Sequence, residues 1–169
     1  MFLDESGFSL ALYRLFGWAV RKERLVEAVP FQRGQNLSVL GAFDQEGMVA
    51  TTSKLGAMKR VDFEQFLRDD LLPGLEAGAT LVVDNARIHH GGSIAQIVEE
   101  AGCSLLSLPP YSPDFSPIEL AWSWIKSFVR RAGPRDNAAR LATVHEAVQA
   151  LPERHAPAWF RKCGYGQPL

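Results

Sequence analysis

TLVV at Thr80–Val83 runs without a break into Asp84-Asn85, and that junction decides how the rest of the chain is read. Four apolar or β-branched residues are too few for a helix and suit a compact buried strand. In an open α/β sheet, functional groups gather just beyond strand ends, where loops converge on a rigid frame. Working upstream, residues 1–3 read as a short apolar strand ending in the polar turn Asp4-Glu5-Ser6-Gly7. Residues 37–43 (LSVLGAF) and 48–52 (MVATT) are β-rich, and Asp44-Gln45-Glu46-Gly47 between them signals a hairpin with glycine at the tight position. Residues 61–72 (VDFEQFLRDDLL) carry apolar positions near helical spacing and close on Pro73-Gly74. Downstream, 93–101 predicts a helix stopped by Gly102, and 104–108 a strand stopped by Pro109-Pro110. Helices over 117–131 and 137–151 follow, with a short one over 157–162. A meander followed by alternating helices and strands implies an α/β chain, a mixed sheet with helices packed on it, in one domain over residues 1–169. Residues 5–36 are the least readable part; Trp18 and its apolar neighbours suggest buried structure there.

At 169 residues the chain is long enough to bury roughly two-thirds of its unfolded surface. A hydrophobic share of 47% with 22% charge excludes a disordered class. The net charge is −1 and the isoelectric point about 6.4, so the overall balance gives no support to a nucleic-acid partner. If DNA is bound, the basic residues must be concentrated on one face. Cys103 and Cys163 form neither a CxxC pair nor a disulfide framework, which points to a reducing compartment. No apolar run approaches the ~18–20 residues that cross a bilayer, and MFLDESGF lacks the basic start of a signal peptide. A soluble cytoplasmic protein is the expectation.

Three carboxylates stand out by position. Asp4 follows the first strand, Asp84 follows TLVV, and Glu119 opens the helix at Pro117. Each has a plain structural explanation. Asp84-Asn85 can serve as a turn or helix cap. Ser116-Pro117-Ile118-Glu119 matches a capping box with proline at the first helical position, in which Glu119 reaches back to its own helix start. The combination shifts the balance. Hard divalent cations such as Mg²⁺ prefer carboxylate oxygens, and two such ions can activate the attacking oxygen and stabilise the leaving oxygen of a phosphodiester. Zinc-type His or Cys spacing and a GxxxxGK[ST] loop are both missing from the sequence. Metal-assisted phosphoryl transfer without a nucleotide cofactor is the coherent chemistry.

LVVDNARIHH (81–90) and LPPYSPDFSPIELAWSWIKSFVRR (108–131) closely resemble the catalytic core of insertion sequence 630 family transposases, within the mariner superfamily. FLDESGF (2–8) resembles that family's first catalytic strand, and AWFRKCGY (158–165) its usual C-terminal end. Thirty-four residues lie between Asp84 and Glu119, the spacing of the D-D-34-E triad. The resemblance implies that Asp4, Asp84 and Glu119 are catalytic metal ligands on an RNase H-like, mixed five-stranded sheet. They would hold two Mg²⁺ ions, with Mn²⁺ able to substitute. It implies cut-and-paste DNA transposition at terminal inverted repeats, insertion at TA and a homodimer in the active complex. Relatives also carry an N-terminal helix-turn-helix that recognises element ends, to which nothing here corresponds. Either a separately encoded part supplies it, or the gene is a decayed remnant. An RNase H-like structure-specific nuclease and a non-catalytic DNA-binding remnant stand as alternatives.

Residues around the triad carry secondary expectations. In helix 117–131, Ile118, Trp122, Ile125 and Val129 form the buried stripe, and Glu119, Ser123, Lys126 and Arg130 an adjacent face. Lys126 and Arg130 either hold DNA phosphates or belong to a solvated face. Arg131, Arg135 and Arg140 extend the basic bias. Asn85 and His89 are candidate DNA contacts, with His89 alternatively supporting the metal site through a hydrogen bond; His90 is given no role. Glu5 projects to the opposite face if the strand continues. Pro109, Pro110, Tyr111, Pro113 and Pro117 make a stiff loop delivering Glu119. Trp122, Trp124 and Trp159 read as core or interface aromatics.

Overall fold

The structure is a computed structural model that describes residues 1–14, 16–26, 34–89, 91–110 and 112–166. His90 and Tyr111 therefore lie outside the described residues. Its strands are β1 (Phe2–Phe8), β2 (Leu37–Phe43), β3 (Met48–Leu55), β4 (Thr80–Val83) and β5 (Ser104–Ser107). Its α-helices are α1 (Arg60–Gln65), α2 (Gly92–Glu100), α3 (Pro117–Ala132), α4 (Asn137–Gln149) and α5 (His155–Lys162). The strands form a five-stranded sheet in the order β3-β2-β1-β4-β5. β1, β2 and β3 pair antiparallel, while β4 joins β1, and β5 joins β4, in parallel. The expected mixed sheet with flanking helices is the observed architecture.

The first strand departs from expectation. Asp4-Glu5-Ser6-Gly7 is no turn: β1 continues to Phe8 and pairs with β2 at every position from Phe2↔Phe43 to Phe8↔Leu37. Local turn propensity loses to a continuous ladder against a wholly buried partner strand. Asp4 is thus a mid-strand residue opposite Gly41. The hairpin after β2 forms as read: the Asp44 carboxylate accepts from the N–H of Glu46 at 2.8 Å and Gly47 at 3.1 Å, and Gly47 adopts φ 137°.

Strand alternation sends side chains to two cores. Phe2, Phe8 and Val82 meet α3, α4 and α5 on one face, while Leu3, Leu81 and Val83 meet α1 and α2 on the other. The stripe expected on α3 is fully buried at Ile118, Trp122, Ile125 and Val129. Each such side chain contributes roughly 1.5–3 kcal/mol by burial, against about 1 kcal/mol for a cap. Packing therefore decides where α3 sits. Its approach is close: a Cβ on Gly41 would stand 2.8 Å from the Trp122 ring, so the glycine opposite Asp4 makes room for the helix that carries Glu119.

Three other expectations change. The helix read over 61–72 is α1 followed by a π-helical stretch, Phe66–Leu71, whose wide turn lets Phe66, Leu67 and Leu71 all reach the core. Trp18 is 100% exposed, and Phe16 and Val26 beside it are exposed as well, because residues 16–26 take no helix or strand that could carry them to a core. Arg140 is 0% exposed rather than part of a basic surface. Its guanidinium donates to the carbonyl of Phe8 at 2.9 Å and of Gln35 at 2.8 Å, tying α4 to the end of β1. Cys103 and Cys163 are both buried and unbridged. Among the described residues, no helix is long and apolar enough to cross a membrane.

Candidate functional site

Register and alternation bring the first two carboxylates together. β1 and β4 pair in parallel as Phe2↔Val82 and Leu3↔Val83, so the next step in each chain is Asp4 and Asp84. Asp4 shares its face with Phe2 and Phe8, the face on which α3 packs. Glu119, in the first turn of α3, arrives from above that face. Asp4, Asp84 and Glu119 line one cavity of about 410 Å³, together with Asn85, Ser112, Ser116 and Pro109.

The capping-box explanation of Glu119 is not realised. Ser116 makes no side-chain cap hydrogen bond, and Glu119 meets Ser116 through its backbone N–H, 3.1 Å from the Ser116 carbonyl. The turn explanation of Asp84 is realised, and it coexists with a place on the cavity wall. One oxygen of Asp84 accepts from the Ala86 N–H at 2.8 Å and lies 2.6 Å from His89 Nδ1.

His89 corrects an expectation. At 1% exposure it is not available to touch DNA. It lies behind Asp84, with its ring 4.7 Å from that of Phe63. Its Nε2 is buried without a partner among the described residues. A proton there would be an unpaired buried donor, costing roughly 1–3 kcal/mol. A proton on Nδ1 is instead donated to a carboxylate, so the geometry favours that tautomer.

The electrostatics of the cavity are those of acids brought close together. The Asp4 carboxyl is raised from 3.8 to about 7, by burial first and then by the neighbouring charges of Glu119 and Asp84. A backbone hydrogen bond from Glu5 and the nearby His89 act the other way. Half-buried Asp4 is the group that most needs a counter-charge. No group of three or more His, Cys, Asp or Glu among the described residues is already gathered as a metal-binding set. An open array of carboxylates around a cavity still fits a hard divalent ion, which retains water and takes further oxygens from a phosphate.

Asn85 is exposed on the same wall, and its Nδ2 donates to the Leu108 carbonyl at 2.7 Å. Leu108 also donates its N–H to Val83 at 2.8 Å, so the exit of β4 is fastened to the end of β5. Lys126 and Arg130 are half-buried, about two and three turns beyond Glu119 on its face of α3. The Lys126 ammonium lies 5.9 Å from the centre of the Phe8 ring. Arg130 lines a broad groove with Arg14, Arg131, Trp124, Phe16 and Trp18. Sequence reasoning missed two supports. Phe63 showed itself as a core residue of α1 with no sign that it backs His89. Tyr165, which donates to the Phe115 carbonyl at 2.9 Å and thereby steadies the loop before α3, lies 50 residues from its partner, a separation at which a single sequence carries no signal.

Comparison with known proteins bears on the family and the fold. Residues 1–141 match the family model described as DDE superfamily endonuclease. The chain is 26% identical over 123 residues to the transposable element Tcb1 transposase of Caenorhabditis briggsae, an alignment covering 70% of this chain and 45% of that protein. It superposes on the Mos1 strand transfer complex with a TM-score of 0.74 at 17% identity, covering 96% of this chain and 50% of that one. The Mos1 mariner paired end complex with Mn gives 0.75 at 17% identity, with 96% and 51% coverage. The isolated catalytic domain of Mos1 mariner transposase gives 0.59 at 13% identity, covering 96% and 75%. These likenesses carry the fold, an RNase H-like sheet, and the chain spans about half the length of the fuller relatives it matches. With its family model covering most of its length, the chain belongs to the DDE superfamily endonucleases.

Proposed function

We propose that this domain cleaves DNA and transfers the cut strand in transposition, with Asp4, Asp84 and Glu119 as its catalytic metal ligands. The observation that carries this reading is the convergence of the three carboxylates on one cavity, with Asp4 pushed up to about 7. Burial, and after it the repulsion between carboxylates, suits two bound divalent ions, Mg²⁺ or Mn²⁺, which would supply Lewis acidity to the attacking and leaving oxygens. The carboxylates hold the ions, and Lys126 and Arg130 take phosphates of the approaching strand. Asn85 keeps the β4 exit in place through Leu108. Water first attacks the phosphodiester at the element's end and releases a 3′-OH. That hydroxyl then attacks a target phosphodiester in line, forming one P–O bond as another breaks.

The structural relatives include a strand transfer complex and a paired end complex with Mn, and a related setting is proposed here: terminal inverted repeats, a TA target and a homodimer acting in the cytoplasm. Recognition of the ends falls to a helix-turn-helix part outside residues 1–169, which we read as one catalytic domain.

The test is Mg²⁺- or Mn²⁺-dependent cleavage of DNA carrying the element ends. Asp84→Asn is expected to abolish cleavage while the melting temperature holds, and metal-dependent cleavage surviving in that variant would sink the assignment. Cleavage of branched or hybrid substrates without preference for the ends would turn the reading to a structure-specific nuclease.

A further inference from the structure

Asp84 stands past the end of β4, where no strand ladder fixes its side chain. A ligand for a divalent ion must nonetheless be held closely in direction, since small displacements of coordinating oxygens degrade binding. The Ala86 N–H and His89 Nδ1 meet on the same Asp84 oxygen. His89 is held in turn from behind by Phe63 of α1, itself wholly buried. The start of α1 is pinned as well: Asp62 accepts from the Lys59 N–H at 2.7 Å and from the Lys54 ammonium at 2.8 Å. Arg60 of the same helix lies across Gly91, with its guanidinium carbon 3.1 Å from where a Cβ would stand. His89, at the end of its turn, and Gly91 just beyond it are therefore both set against α1.

We infer that His89 is the positioning residue for divalent-ion binding at this site. Its Nδ1–H fixes the direction of the Asp84 carboxylate, and α1, through Phe63, fixes His89. The inference rests on the reading of Asp84 as a metal ligand. A histidine that merely filled the core would need its ring and not its donor, and the two can be separated. His89→Phe keeps a ring against Phe63 and removes the donor. His89→Asn removes the ring and leaves a side-chain N–H close to the place of Nδ1.

The experiment is calorimetric titration of the purified metal-free protein with Mn²⁺, paired with thermal melts of the same samples. His89→Phe is expected to keep its melting temperature and to bind Mn²⁺ about 10–100-fold more weakly. His89→Asn is expected to melt earlier, yet to bind Mn²⁺ within about threefold of the parent. A core-filling role would leave Mn²⁺ affinity intact in His89→Phe, and that result overturns the inference. Folded His89→Asn losing affinity as far as His89→Phe overturns it too. Should His89→Phe fail to fold, His89→Asn decides, with retained affinity supporting the role and lost affinity ending it. Asp84→Asn separates this inference from the reading beneath it. If the parent binds no Mn²⁺, or Asp84→Asn binds as the parent does, both fall. If Asp84→Asn loses binding and His89→Phe does not, the positioning role alone falls.

Discussion

Asp4 and Asp84 face one cavity but are held there by opposite means. Asp4 sits inside a strand whose backbone is paired with β2 along its whole length, and its position follows from the ladder. Its side chain is the strained partner, half-buried and pushed towards protonation. Asp84 sits beyond its strand, and its side chain is fixed by the Ala86 N–H and by His89. Backbone pairing supplies rigidity on one side of the site, and side-chain hydrogen bonds on the other. Disturbing the first should cost stability before metal binding, whereas disturbing the second should cost metal binding before stability.

The largest break in this comparison is at Arg140, which fastens the far end of the Asp4 strand. Arg140→Ala leaves the Phe8 and Gln35 carbonyls without their donor and opens a hole in the core. A loss of roughly 3–5 kcal/mol in unfolding free energy is expected by chemical denaturation. A loss below about 1 kcal/mol would show that the β1–β2 ladder holds without α4.

Next comes pH. The folded-state pKa of Asp4 is raised, so its stabilising contribution is fully present below its ordinary value near 3.8 and is lost as pH rises through about 7. The cavity is open to solvent, which screens the effect to about 1–3 kcal/mol. Measured as the difference from Asp4→Asn, which removes the titration, the parent should lose stability between pH 4 and 7 by that amount. Added Mg²⁺ should restore stability near pH 7, because the ion binds the charged carboxyl. A flat difference would remove the strain assigned to Asp4.

How far the sequence could be read divides along the same line. The sheet and helices were legible because alternation and helical spacing survive in one dimension: β2, β4 and α3 were found nearly residue for residue. Asp-Glu-Ser-Gly has turn composition and so puts Asp4 at a strand end, and the ladder that overrides it comes from a partner some 35 residues away. Arg140 reads as part of a basic bias for the same reason: its acceptor on Phe8 is 132 positions distant. Trp18 shows the converse, since an apolar residue predicts burial only where an element delivers it to a core. The three carboxylates were legible as a set because spacing and motif carried them. Which of the residues beside them face solvent was not, and His89 turned out to lie behind the site.

The smallest expected effect probes the Asp84 side. Asn85 is exposed, and its hydrogen bond to the Leu108 carbonyl joins the exits of β4 and β5. Because the Leu108 carbonyl left behind can turn to water, Asn85→Ala should cost only about 0.5–1.5 kcal/mol. If side-chain hydrogen bonds set the Asp84 region, this small loss should be accompanied by weaker Mn²⁺ binding, several-fold but less than for His89→Phe, because Asn85 steadies the loop and makes no bond to the Asp84 carboxylate. An Asn85→Ala protein that loses more Mn²⁺ affinity than His89→Phe would reverse the order of supports. The strand-to-strand fastening through Leu108, and not the histidine, would then be what aims Asp84.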